Sequence, residues 1–167
     1  MEMRFRDVAA NWQGELLEFV PYPRATDRKA YEQLAEGLKK EIIKEGEGYL
    51  GYEYPVIRAT DFMRFKRTGN RVAFEDVYFA RRHALCGLVM AECVEHTGRF
   101  LDDIINGIFA ICEESAWQLP PHNSYIRNEP QYLLPDAVRP VLDLFACETG
   151  ALLGCVHFLL EKELDEV

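Results

Sequence analysis

The eleven residues from Ala84 to Val94, ALCGLVMAECV, contain one charged side chain, Glu92, and no proline. They lie inside a stretch from about Val72 to Thr97 that reads as one helix, with Gly98 as its left-handed stop. A helix that is apolar nearly all round cannot rest on a surface; neighbours must cover it on several sides. A second helix of this kind is expected from Val141 to Lys162, where Gly150 and Gly154, four residues apart, would let another helix approach closely. Between the two, roughly Arg99 to Ala116 turns Leu101, Ile104, Ile105, Ile108, Phe109 and Cys112 toward the core. A tight turn at Thr97 to Phe100 joins it to its predecessor, making an αα-hairpin.

The remaining elements read as peripheral. Residues 1 to 25 predict a short helix and a strap. The stretch from Thr26 or Asp27, as N-cap, to about Glu45 predicts an amphipathic helix with Tyr31, Leu34, Ala35, Leu38 and Ile42 on its buried stripe and Gly46 and Gly48 as stops. Residues 46 to 59, with three glycines, three tyrosines and Pro55, are turn chemistry, and a short helix follows from a Thr60-Asp61 cap to Gly69. Trp117 to Pro140 then forms a crossing of 24 residues that holds five of the eight prolines; loops of this length in compact domains are functional or disordered. At 167 residues the chain is expected to be a single all-α domain: a strap over 1–25, and antiparallel helical hairpins over 26–167 that form part of an (α/α) toroid, an incomplete barrel. No strict repeat of about 34 residues supports a tetratricopeptide array.

Charge narrows the partners. With 19 basic and 28 acidic residues the net charge is −9, which opposes general attraction to nucleic acid or an anionic membrane. Locally the sign reverses, since from Arg58 to Arg82 there are seven basic residues (58, 64, 66, 67, 71, 81, 82) against three acids (61, 75, 76). Such a stretch suits a polyanionic chain, and equally a solvated basic face. The opening residues lack a signal-peptide core, so a cytoplasmic location is expected. The apolar run Leu144 to Leu160 is short of the roughly 20 residues a bilayer needs and carries Glu148 and His157, so no membrane span is expected. The five cysteines (86, 93, 112, 147, 155) form no CxxC and read as reduced core thiols. His83 with Cys86, and Cys93 with His96, share helix faces, but the two pairs lie too far apart along one helix to converge on an ion, so neither metal nor cofactor is expected.

Three constellations could carry chemistry. In EESAWQLPPHN, Glu113 and Glu114 precede Trp117, His122 and Asn123: an indole face packs on the C–H face of a pyranose, and imidazole and amide groups bond hydroxyls or a carboxylate. The same residues suit a structural role, with Trp117 fastening the loop to the core and Asn123 capping a turn, and the residue types alone favour that role. Asp143 and Glu148 are acids in an apolar run, about 140° apart on a helix at 3.6 residues per turn, and so not an adjacent pair. Asp143 would cap a helix or receive an arginine from the 81–82 pair. The basic stretch is the third.

The string YFARRHALCGLVMAECVEHTGRFLDDIINGIFAICEESAWQLPPHN, then LPD, then PVLDLFACETGALLGCVHFLLEKELDE, resembles the N-terminal (α/α) toroid of heparinase II/III-like polysaccharide lyases. The likeness spans roughly residues 55 to 167 and is most specific in ESAWQLPPHN and DLFACETGALL. It implies β-elimination on a uronic-acid polysaccharide, with the long loop lining the substrate cleft. Trp117, His122 and Asn123 would then touch sugar, with Glu114 and Arg82 in support and Asp143 and Glu148 as further substrate-binding positions. The family's neutralising asparagine and its catalytic tyrosine and histidine lie in later helices and a β-sandwich, so the resemblance leaves the catalytic residues unassigned. It also implies that a chain of this length is a piece of a longer lyase, or a shortened one covered by another copy, and inactive alone. Two other readings remain: a helical-repeat module that binds a protein, and a glycoside hydrolase with Glu114 and Asp143 as its carboxylates.

Overall fold

A computed structural model of the chain describes residues 14, 20–124, 126, 129, 131–136 and 138–164. Among these residues there are six α-helices and no strands, and the helices pack on one another, so the fold is all-α. They are α1 (Arg28–Glu32), α2 (Glu36–Glu47), α3 (Ala59–Thr68), α4 (Val72–Glu95), α5 (Leu101–Cys112) and α6 (Leu144–Leu160), with a 3₁₀ turn at Pro120–His122. Most of the expected strap lies outside the described residues, as do Tyr125, Arg127 and Asn128 of the crossing.

Helix α4 is the axis of the molecule. It touches α1, α2, α3, α5 and α6, as its apolar girth requires, and leaves only a narrow strip of its central turns, His83, Cys86 and Met90, exposed. The one charge in its 84–94 stretch is used: Glu92, 1% exposed, accepts the backbone N–H of Gly98 at 2.8 Å and of Phe100 at 3.4 Å. That carboxylate closes the hairpin turn into α5, and its burial is tolerated because donors surround it. His96 takes the left-handed C-cap at φ 57°, two residues before the expected Gly98. Arg28 supplies the cation at this end, donating to the carbonyls of Cys93 and Val94, both at 2.7 Å.

Several expectations are corrected. The first long helix is broken at residues 33–35, where Ala35 adopts an extended backbone with ψ 136°. The break lets Tyr31 insert into the core, donating to Pro23 O at 2.7 Å, while α2 lies along α4; Ala35 and Leu38 face water. Gly46 does not stop α2 but lies inside it, against Gly87 and Ala91 of α4, where no side chain fits, and Gly48 is the C-cap. Tyr49 fills the space over Gly87, where a Cβ would lie 2.9 Å from the ring. Helix α5 ends at Cys112, four residues early, and exposes Ile105, Phe109 and Cys112. Helix α6 begins at Leu144, with Asp143 as its N-cap, and turns Cys147, Gly150, Ala151, Gly154 and Cys155 to solvent. A Cβ at Gly150 or Gly154 would meet nothing within 4 Å, so no helix among the described residues uses them. Of the five cysteines only Cys93 is buried. Helix α3 stops where its sequence suggests, with Gly69 as C-cap at φ 75°, but it starts at Ala59 with Arg58 as N-cap, so Thr60 and Asp61 lie inside its first turn rather than capping it.

Candidate functional site

The crossing between α5 and α6 is held by side chains that the sequence marked as binding groups. Trp117 Nε1 donates to Ile111 O at 3.0 Å, satisfying a carbonyl at the end of α5, and the ring packs on the main core. Asn123, 1% exposed, accepts from Gln118 Nε2 at 2.7 Å and donates from Nδ2 to Tyr132 O at 3.1 Å and Leu134 O at 3.0 Å. Its amide ties the two arms of the loop together.

Two more of the expected residues pair. Asp143 caps α6 by accepting from Ala146 N at 2.7 Å through Oδ1, while Oδ2 accepts from Leu119 N at 3.1 Å and lies 2.6 Å from His122 Nδ1. The imidazole stacks on Phe145, with ring centroids 5.8 Å apart. With Nδ1 against the carboxylate, Nε2 is the ring nitrogen left for a further partner, and the His122 side chain is partly exposed. Of the two alternatives for Asp143 the cap is realised; no arginine among the described residues reaches it. Glu148 stands apart from these pairs, exposed on α6.

The arginines go to Glu114. Its Oε2 accepts from Arg82 Nη2 at 2.8 Å, and its Oε1 from Arg81 Nη1 and Arg82 Nη1, both at 3.2 Å, with the Glu114 side chain 2% exposed. Two guanidiniums thus share one buried carboxylate, and the cluster keeps a net positive charge. Arg82 is otherwise saturated: Nε donates to Thr149 Oγ1 at 3.0 Å, Nη1 to Tyr78 O at 3.0 Å, and its guanidinium lies 3.3 Å from the Tyr78 ring centroid. The Tyr78 hydroxyl sits within 3.1 Å of Trp117 O, Phe145 O and Thr149 Oγ1, which binds α4, the loop and α6 together, and burial raises its pKa above the ordinary tyrosine value.

Beside this cluster opens a cleft of about 640 Å³. Its walls are the 54–59 segment, Phe62 of α3, Phe74 and Arg81 of α4, residues 113–116, and Leu134 and Pro135 of the crossing. Of the seven residues expected to touch substrate, only Glu114 lines it, with Arg82 directly behind. The local basic excess does not form one patch: Arg64 pairs with Asp61 at 3.3 Å, Arg71 with Glu75 at 2.5 Å, and Lys66 donates to Gln131 O at 2.6 Å, while Arg58 and Arg81 reach the cleft. Tyr54 was not singled out by sequence, nor were the individual roles of Arg58 and Arg81. One signal was available for the last: two arginines entering a buried helix require an acid, and Glu114 lies just past the end of the neighbouring helix. Asp143 does not line the cleft, so Glu114 and Asp143 do not face each other across it as a hydrolytic pair would.

Among the described residues no group of three or more His, Cys, Asp or Glu side chains is placed to hold a metal ion, and no helix is long and apolar enough to cross a membrane. No protein-family model matches the chain, and no curated protein matches it either.

Proposed function

We propose that this chain is the toroid-forming N-terminal portion of a heparinase II/III-like polysaccharide lyase and holds a uronic-acid polysaccharide or oligosaccharide for β-elimination. The observation that carries the reading is the cleft. Its wall at residues 113–116 includes the opening of the most specific resembling string, and its floor borders a buried Arg81–Arg82–Glu114 cluster with one positive charge in excess. The partly exposed Tyr54 offers an apolar edge to sugar C–H groups over a base of buried Phe62 and Phe74, and Arg58 stands exposed in the lining. The chemistry needs a positive site, because the C5 proton of a uronate is hardly acidic until the adjacent carboxylate is neutralised.

Calorimetric titration of uronic-acid oligosaccharides tests this. Binding tighter than millimolar, weakened by salt, is expected; absence of binding removes the reading. No ultraviolet absorbance from an unsaturated product is expected from this chain alone.

A second observation favours the helical interaction module: an apolar groove of about 520 Å³ runs between α1, α2, α4 and α6, lined by Tyr31, Leu34, Ile42, Val89, Met90 and Leu152 among others. That reading predicts retention of a protein partner and indifference to sugars.

A further inference from the structure

We propose, on the carbohydrate reading above, that Arg81 is the side chain that recognises the uronate carboxylate in the cleft and that Glu113 opposes it. Arg81 is pinned rather than mobile. Nε donates to Pro55 O at 2.8 Å and Nη1 to Ala110 O at 2.8 Å, so carbonyls from two walls of the cleft fix the plane of the guanidinium. Its Nη2 has no acceptor among the described residues, is not a sealed buried atom, and belongs to a side chain that lines the cleft. A rigid fork with a free amino end is pre-organised for a carboxylate, because little side-chain freedom is lost on binding.

The charge balance agrees. Arg82 reaches both oxygens of Glu114, while Arg81 reaches one at 3.2 Å, so the shared carboxylate compensates Arg81 less completely. With its side chain 10% exposed, that cation is largely removed from water, and an anion entering the cleft restores the missing partner. Glu113 lines the same cleft, exposed, and repels the same anion.

The experiment compares a uronic-acid tetramer with its carboxyl-reduced, neutral counterpart by titration into wild type, Arg81→Gln, Arg81→Lys and Glu113→Gln. Expected for wild type is a preference of about tenfold for the acid, in the range of one charge-assisted hydrogen bond. Arg81→Gln should bind both tetramers alike. Arg81→Lys should retain part of the preference, and Glu113→Gln should tighten the acid about threefold and leave the neutral tetramer unchanged. Wild-type preference that survives Arg81→Gln overturns the assignment and leaves the carbohydrate reading standing; equal binding of both tetramers by wild type does the same. Binding of neither removes that reading along with the assignment. Should Arg81→Gln not fold, Glu113→Gln decides, since its side chain is exposed, and an unchanged acid affinity in it overturns the proposal.

Discussion

Arg82 Nη2 lies 2.8 Å from Glu114 Oε2, with the two side chains 8% and 2% exposed, and this contact joins the middle of α4 to the first turn of the long crossing. Glu114 also answers Arg81, so one carboxylate is shared by two cations. Replacing it leaves two buried guanidiniums without their anion. Glu114→Gln is therefore expected to destabilise the fold by about 3–5 kcal/mol, the usual cost of orphaning a buried charge. Urea unfolding monitored by circular dichroism checks it, and a loss below about 1 kcal/mol would mean that the cluster is open to water.

Glu92 makes a second, separate demand. Its carboxylate accepts two backbone N–H groups of the α4–α5 turn and sits at 1% exposure. Glu92→Leu keeps the apolar packing but strands those donors, for an expected loss of about 1–3 kcal/mol. Faster amide exchange at Gly98 and Phe100, ahead of the rest of the hairpin, is the accompanying signature.

The glycines give a contrast within one protein. Gly46→Ala pushes a methyl into Ala91 and against the backbone of Gly87, forcing α2 away from α4, with an expected cost of about 1–3 kcal/mol. At Gly150 and Gly154 a Cβ meets open space in mid-helix, so alanine there should stabilise by about 0.5–1 kcal/mol each. Thermal melts of the three variants decide it; destabilisation by Gly154→Ala would mean that α6 packs against a further surface in solution.

These glycines also show what the sequence could convey. The long α4 helix, its tight turn into α5 and the Gly69 stop were legible because an uninterrupted apolar run and a left-handed glycine each allow few backbones. Gly46 and Gly154 were misjudged because a glycine spells a stop, a close contact or nothing, and only the neighbour decides. In α6 apolarity all round hid which face is buried: without a polar side the pattern has no phase, and Val156, Leu159 and Leu160 went inward while Leu144, Cys147 and Cys155 did not. For the site, Glu114 and Arg82 were named through the resemblance alone, and the sequence offered the 81–82 arginines Asp143 as their acid, whereas the structure gives them Glu114. Tyr54 and Arg81, 27 residues apart, meet at one cleft only through the packing of the 54–59 segment on α4, which no local pattern encodes.

Alkaline stability follows from buried thiols and phenols, Cys93 and Tyr54 among them. Burial pushes the Cys93 thiol up to about 11, and burial, with the nearby Asp103 charge, pushes the Tyr54 hydroxyl up to about 12. Each pKa is higher in the folded chain than in the unfolded one, so between the two values the unfolded chain has released a proton that the folded chain retains. Their contribution is intact below the unfolded pKa values, near 9 for the thiol and 10 for the phenol, and is lost as pH rises toward 11 and 12. Urea midpoints should therefore fall steadily from pH 9 to pH 11, and Tyr54→Phe should flatten the upper part of that fall. The same burial orders the thiols. A thiol reagent at pH 8 should modify Cys112, Cys147 and Cys155 first and Cys86 more slowly, since desolvation raises its pKa too; Cys93 should react only on unfolding. Modification of all five thiols at one rate in the folded protein would show that Cys93 is not buried in solution.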